Sequence, residues 1–249
     1  MPWWHLGQTC LVEDIEEVWD VLDGWTERIV NQMVNMYHRR VVYESMLEML
    51  QEQNHPDAGL FFETYNDQYI EAQSMAIRRQ ADEDDRTVSL RRLLRQLDRH
   101  RAFITREWYH DRMLRPSDGH EDWRGDEFHQ YVADNRFDVF TKRAGNSKLW
   151  RKPILDDIKS LVAASEKVVD YANTNIAHLQ IDEPSTVTYD EFNAAIDSLG
   201  ALTQRYYIFV HGSSVPSLTP TVQGDWRGPF RSPLAFDHHQ DKNPSEGDG

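Results

Sequence analysis

The helical spacing of apolar residues is the feature that most limits what this chain can fold into. Along most of the 249 residues, apolar side chains recur every three to five positions. No stretch of useful length shows the strict alternation typical of a half-buried strand. Each such stripe buries one face of a helix against other helices. The pattern therefore predicts an all-α fold, an antiparallel helical bundle, with a Gly- and Pro-rich C-terminal tail.

The stripes also predict where the helices begin and end. Gly24 leaves open whether the first segment is one helix or two, and Pro56 separates it from the second. The third segment is predicted as one continuous helix that ends before a turn cluster at Pro116. Thr188 and Glu191 have the spacing of a capping box at the start of the last helix. The predicted segments are residues 10–53, 57–80, 89–115, 125–142, 153–177 and 188–212.

These segments predict one helical domain over residues 1–210, with an N-terminal helical extension over about residues 1–40. Residues 211–249 contain five Gly and five Pro and are predicted to form an irregular, partly disordered tail. Disorder is expected from about residue 237 onward. Four apolar residues are candidates to anchor the earlier part of the tail to the domain: Trp226, Phe230, Leu234 and Phe236.

Composition excludes several functional classes. The single cysteine, Cys10, excludes a disulfide scaffold and a cysteine-based zinc site. No apolar stretch approaches the roughly 20 residues of a membrane span, and the first residues lack the pattern of a signal peptide. We therefore expect a cytoplasmic protein without a membrane partner. The net charge of −15 repels nucleic acid, so an RNA partner needs a local basic surface.

Such a surface is predicted within residues 78–115, which carry 11 Arg and 7 acids, whereas residues 1–77 carry 14 acids and 3 bases. Arg91 and Arg95 lie on one helix face at i, i+4 spacing. One interpretation is a helix that binds RNA or another anion through these guanidinium groups. The other is a charged helix whose arginines pair with acids, some of them from the N-terminal third of the chain.

The segment with the most functional information reads Tyr171-Ala172-Asn173-Thr174-Asn175-Ile176-Ala177-His178. It ends a predicted long helix and resembles the HEPN superfamily, most closely its abortive-infection branch, in which a helix ends in Arg-Asn-x-x-Ile-Ala-His. Residues 76–80 and 89–94 resemble the preceding helix pair of that family, and Thr188 begins a segment similar to its last helix. The resemblance covers roughly residues 40–210.

The resemblance implies a metal-independent endoribonuclease that needs no cofactor and forms a homodimer, with two copies of the motif meeting in a cleft. His178 is then the catalytic acid or base for attack of a 2′-hydroxyl on the adjacent phosphate. Asn173 is its polar companion, which positions the phosphate. The family's Arg stabilises the charge that develops on the phosphorane.

This chain departs from the family pattern at one position, because Ala172 stands where the Arg is expected. No Arg or Lys lies between Lys167 and His178. Either the protein binds RNA without cleaving it, or an arginine from a neighbouring helix supplies the cation. Arg78, Arg79 and Arg205 are the candidates for that second case, and with Arg91 and Arg95 they make up the predicted RNA- or anion-binding set.

Alternative roles exist for the histidines. His178 also fits a helix-end histidine that caps carbonyl groups or binds a polar group of the core. A second group of carboxylates and histidines does not have the spacing of an established metal site, so no metal site is predicted and the region is expected to be a solvated connection. That group consists of His120, Glu121, Asp122, Asp126, Glu127 and His129.

The leading functional hypothesis is a HEPN-like protein that acts on RNA, or derives from one that did, in phage defence or a toxin system. The alternative is a non-catalytic acidic protein, an inhibitor or antitoxin-like regulator, that binds a basic protein partner. The net charge and the missing Arg favour this alternative. A third hypothesis makes the chain a subunit of a larger assembly.

Overall fold

Seven helices account for most of the computed structural model, which describes residues 14–53, 59–115, 125–143, 145–177, 186–214, 217–221 and 224–228. Within these residues there is no strand, only one isolated bridge between Thr105 and Lys148, so the all-α prediction is confirmed. A π-helical segment, Ala172–Ala177, extends the sixth helix. The helices are α1 Ile15–Gln53, α2 Gly59–Gln80, α3 Leu90–His100, α4 Arg106–Leu114, α5 Glu127–Thr141, α6 Arg151–Tyr171 and α7 Tyr189–His211.

The long helices pack antiparallel to one another. Near one end of α1, the Trp19 indole donates to the carbonyl of Val210 on α7, and near the other Tyr43 contacts Tyr189 at the start of α7. α7 also packs on α6, which in turn packs on α2 and α3, while α4 packs on α5. α6 therefore lies between helices from both halves of the chain, and its C-terminal end carries the segment with the family resemblance.

The core between α1, α4, α5 and α7 is aromatic. The ring of Phe209 stacks on Phe140 at 3.8 Å and on Tyr109 at 4.8 Å between centroids. Tyr109 is fully buried, and its hydroxyl donates to the carbonyl of Phe209. Buried aromatic pairs of this kind stabilise a core beyond their area alone, so α7 is held firmly at its C-terminal end.

Most predicted helices are found near the predicted positions. α1 is a single helix through Gly24, which settles the alternative that the sequence left open. Pro153 lies in the first turn of α6, where the missing amide hydrogen costs nothing. The capping box at Thr188 is formed, with both the side chain of Thr188 and that of Glu191 bonded to backbone amides. Gly212 ends α7 with φ of 77°, the left-handed conformation that glycine adopts freely.

The prediction of one helix over residues 89–115 is wrong. α3 ends at His100 and α4 begins at Arg106, because the intervening backbone bonds to another segment instead of continuing the helix. The carbonyl of Ile104 accepts from the amide of Leu149, and the amide of Arg106 donates to the carbonyl of Ser147. Thr105 then caps α4 through its side chain. β-Branched residues such as Ile and Thr are weaker helix formers than Leu, which makes this a suitable place for the break.

The described part of the tail contacts the helical domain. Leu218 is buried, and Arg227 donates to the hydroxyl of Ser45 and the carboxylate of Glu48 on α1. Trp226 is half-buried, whereas Phe230, Leu234, Phe236 and the stretch predicted to be disordered lie outside the described residues. The boundary at residue 210 stays a prediction. None of the described helices is long and apolar enough to cross a membrane.

Candidate functional site

The candidate site forms where the end of α2 meets the end of α6. Asn173 lies in the π-helical segment that follows α6, and π-helical turns are frequent at functional sites. The hydroxyl of Thr174 donates to the carbonyl of Asp170 at 2.9 Å and lies 2.6 Å from the Asn175 amide oxygen. A threonine that bonds back to the preceding turn in this way bends a helix locally, which is consistent with the change of helix type after Tyr171.

Arg78 joins Asn173 across the two helices. Its neighbours Ala76 and Ile77 are buried, which holds the last turn of α2 against the bundle and leaves Arg78 half-buried at the edge. The Arg78 Nε donates to Asn173 Oδ1 at 2.7 Å. The two residues are 95 positions apart in sequence, so only the packing of α2 on α6 brings them together.

The charge of Arg78 is not neutralised by this contact. Its partner is a neutral amide oxygen, and the part of the chain that the structure describes offers Arg78 no ion pair. A guanidinium has five N–H donors in a planar fork, and one of them is used here. The remaining donors and the positive charge suit a phosphate group, which guanidinium binds in a bidentate manner.

Ala172 is completely buried, with 0% of its surface exposed. A longer cationic side chain at this position would be taken out of water without a carboxylate partner, which is costly. The packing around residue 172 thus explains why this position holds a small apolar residue. Among the described residues, the cation that reaches Asn173 is Arg78, from the neighbouring helix α2.

A groove of about 260 Å³ lies between α2 and the π-helical segment, which lines it with Asn175 and Ile176. Its apolar surface comes from Ile70 and Ile176, and two carboxylates of α2 contribute to its lining. Burial and the Asp67 carboxylate raise the pKa of the Tyr171 phenol. The site is therefore asymmetric, with a cation at Asn173 and carboxylates along the groove. The lining residues are Asp67, Ile70, Glu71, Tyr171, Asn175 and Ile176.

The sequence model of the HEPN AbiU2 family, described as AbiU2, matches residues 20–227. The chain belongs to this HEPN family. The match spans the chain from α1 to the described part of the tail and thus includes both Arg78 and Asn173. It agrees with the abortive-infection-type HEPN resemblance seen at residues 171–178. Neither a curated protein nor a solved structure matches the chain.

The other predicted cations of this HEPN chain are placed elsewhere. Arg79 is exposed, and its Nε donates to the carbonyl of Met75 one turn earlier on α2. Arg205 donates to the carboxylate of Asp157 at 2.6 Å and to the carbonyl of Phe140. The structure therefore brings Arg78 to Asn173 and gives Arg79 and Arg205 different partners.

Three arginines of α3, Arg91, Arg92 and Arg95, contact acids. Arg91 and Arg95 both contact Glu83 Oε1, at 2.7 Å and 3.1 Å. Arg112 and Arg115 of α4 contact Glu16 of α1. These pairs match the second interpretation of the basic stretch, in which some of the acids come from the N-terminal third. A role for Arg91 and Arg95 in binding RNA stays a prediction.

His178 lies outside the described residues, as do His120, Glu121 and Asp122. Asp126 caps the N-terminus of α5 by accepting from the amides of Phe128 and His129, and these bonds, with the His129 ring nearby, lower the pKa of its carboxyl. Its neighbour Glu127 lies exposed in the first turn of α5. The described residues contain no cluster of three His, Cys, Asp or Glu side chains able to hold a metal ion.

Sequence reasoning missed the carboxylates of the groove. Asp67 and Glu71 belong to an acidic third of the chain that was considered only as a sum of charges. Their i, i+4 spacing on an amphipathic helix places both on one exposed face, and this signal was available. What sequence could not provide was the neighbour of that face, since Tyr171 and Asn175 are about 100 residues away.

Proposed function

We propose that this HEPN protein binds RNA at the Arg78–Asn173 site, as part of a phage-defence or toxin system. The observation that supports the proposal is the 2.7 Å contact from the Arg78 guanidinium to Asn173 Oδ1. In the family pattern the cation is at position 172, whereas here Arg78 supplies it from a neighbouring helix. The phosphate is bound by the remaining guanidinium donors and is oriented by the Asn173 amide.

Cleavage follows from the same arrangement if His178 acts as acid and base. The 2′-hydroxyl loses its proton as it attacks the adjacent phosphorus, and the 5′-oxygen of the next nucleotide gains one as it leaves. Arg78 stabilises the negative charge that develops on the phosphorane oxygens. No redox or metal-dependent step is part of this proposal.

Binding is tested with fluorescently labelled single-stranded RNA and two matched variants. Arg78→Ala should weaken binding about ten-fold, the effect of losing one charge-assisted contact. Arg28→Ala removes the same charge from an exposed residue of α1 that has no ion pair among the described residues, and we expect a loss of less than about two-fold. Equal losses in the two variants would show that only the net charge matters.

Cleavage is tested by gel analysis of the same RNA with wild-type protein and His178→Ala purified in parallel. We expect the wild type to cleave and His178→Ala to bind without cleaving. Cleavage by both preparations would point to a contaminating nuclease and would remove the catalytic role of His178.

A second candidate is a protein that binds RNA but does not cleave it. The buried Ala172 favours it, because the cation is not on the helix turn that carries the rest of the motif. In this case wild-type protein and His178→Ala bind RNA equally and leave it intact, while Arg78→Ala still weakens binding.

A homodimer is also part of the proposal, since the family resemblance implies two motifs in one cleft. Sedimentation equilibrium of the purified protein should give twice the chain mass of 29.3 kDa. A monomer at all concentrations used for cleavage would contradict the paired cleft.

A further inference from the structure

Between Gly59 and Ala76 the charged residues of α2 are all acidic, and its two arginines, Arg78 and Arg79, lie in the last turn. Residues 41–77 contain seven acids and no Lys or Arg. On α2, Glu63, Asp67 and Glu71 follow one another at i, i+4 spacing, and Leu60 shares their face with 77% of its surface exposed. All three carboxylates are exposed, and none has an ion pair within the described residues. We refer to these four residues as the acidic face of α2.

The acidic face continues into the groove beside the π-helical segment. Asp67 and Glu71 line that groove opposite Tyr171, with Ile70 and Ile176 as its apolar surface. Two carboxylates, an aromatic ring and aliphatic side chains match the chemistry of an arginine or lysine side chain. Its charged head pairs with carboxylates or lies over an aromatic ring, and its methylene stem packs on apolar surface.

The chain itself shows an arginine bound to the neighbouring helix of this hairpin. Arg227, from the segment after α7, donates to the Ser45 hydroxyl at 2.6 Å and to the Glu48 carboxylate at 3.2 Å. An arginine side chain is therefore bound by an acidic residue of α1, and Glu63, Asp67 and Glu71 of α2 are exposed carboxylates that have no ion pair among the described residues.

We propose that the acidic face of α2 and its groove bind an Arg- and Lys-rich segment of another protein. Charge complementarity selects this occupant. An RNA phosphate would meet Asp67 and Glu71 and be repelled, and so would the same acidic face of a second copy. The inference goes beyond RNA binding at Arg78, because it requires neither RNA nor cleavage.

Fluorescence anisotropy with labelled octa-arginine at low salt tests this inference. The double variant Asp67→Asn/Glu71→Gln removes both groove carboxylates and should weaken binding about five-fold, the combined effect of two partly exposed charge contacts. The control is Glu27→Gln/Glu166→Gln, which removes two exposed acids from α1 and α6 that have no ion pair among the described residues. We expect the control to weaken binding less than about two-fold.

Equal losses in the two double variants would overturn the inference, because octa-arginine would then respond to net charge alone. Unchanged binding in the groove variant would also overturn it. The single variant Glu71→Gln repeats the test with a smaller perturbation if the double variant fails to fold. Sedimentation of the wild type and the groove variant identifies the remaining occupant, since loss of a dimer in the groove variant would mean that a second copy, and not a basic partner, covers this face.

Discussion

Two arginines reach α6 from neighbouring helices, and they differ in what they meet there. Arg205 of α7 meets the carboxylate of Asp157, which is 7% exposed, and the Tyr206 hydroxyl donates to the same carboxylate at 2.8 Å. Arg78 of α2 meets the neutral amide of Asn173 at the edge of the bundle. The first arginine is paired with a buried carboxylate, whereas the second has no ion pair among the described residues.

The difference shows how one chemical group serves two purposes in this fold. Burial and the Asp157 carboxylate raise the pKa of the Tyr206 phenol, so Tyr206 remains a neutral hydrogen-bond donor. Together with Arg205 it links α6 to α7 and to the end of α5. The Arg78–Asn173 contact orients a guanidinium without cancelling it. The N-terminal third of α6 is thus tied to α7 by an ion pair, whereas its C-terminal end meets a guanidinium that has no ion pair among the described residues.

The largest expected effect is on the buried pair. Asp157→Ala leaves the Arg205 guanidinium and the Tyr206 hydroxyl without their acceptor, and we expect the free energy of unfolding to fall by about 3 kcal/mol. Chemical denaturation measures this. The neighbouring Asp156→Ala, which removes an exposed ion pair with Lys152, should cost about 0.3 kcal/mol. Similar values for the two variants would show that the buried network does not stabilise the protein.

The sequence could predict the periodic parts of the molecule but not the contacts between them. The stripes of α1, α6 and α7 and the Thr188 capping box depend on residues close in sequence, and these predictions are confirmed. The break between α3 and α4 depends on bonds to residues 147–149, which no local pattern contains. The single long helix predicted over residues 89–115 failed for that reason.

The residues of the candidate site also differ in whether a local pattern could predict them. Asn173 was identified from its local motif, but choosing Arg78 among three candidate arginines needed the packing of α2 on α6. Arg205 looked equivalent in sequence because Asp157 is 48 residues away from it. The sequence shows which residue types a reaction requires. Tertiary contacts decide which of several residues of the same type lies at the site.

A second prediction gives Arg78 an acidic partner of the kind that Arg205 has. Asn173→Asp gives Arg78 a carboxylate partner like that of Arg205, which neutralises its charge. We expect affinity for single-stranded RNA to fall about ten-fold, as far as in Arg78→Ala, because the phosphate loses its cation. Labelled-RNA titration measures the affinity, and a denaturation curve should show an unfolding free energy changed by less than about 0.5 kcal/mol. Unaltered affinity would mean that Arg78 does not contact RNA.

A third prediction separates charge from geometry at Arg78. Arg78→Lys keeps the positive charge but loses the planar fork and its Nε contact to Asn173. We expect RNA affinity to fall about three-fold, less than in Arg78→Ala, since a point charge still attracts phosphate. The matched variant Arg205→Lys should leave RNA affinity unchanged. If Arg78→Lys binds as weakly as Arg78→Ala, the orientation of the guanidinium and not its charge is decisive.

The smallest effect is expected at a third polar contact to α6, the exposed pair between Lys167 and Glu191 of α7. The hydrogen bonds that Glu191 accepts from Lys167 and from the Thr188 backbone amide lower the pKa of its carboxyl to about 2. When folding lowers the pKa of a carboxyl group, its ionised form stabilises the folded protein at pH values above the pKa of the unfolded state. This contribution is lost as the pH falls through the pKa of the folded state. The pH window therefore extends from the ordinary value of 4.5 down to about 2.

Thermal unfolding of wild type and Glu191→Gln across this window measures the contribution. We expect a small Tm difference in favour of the wild type above pH 4.5 that disappears as the pH approaches about 2, because the protonated wild-type carboxyl then resembles the amide. Asp157→Ala should behave differently, with a deficit that is already large at neutral pH. A Tm difference for Glu191→Gln that stays constant across the window would mean that the charge of Glu191 contributes nothing, and that its role is confined to the capping box at the start of α7.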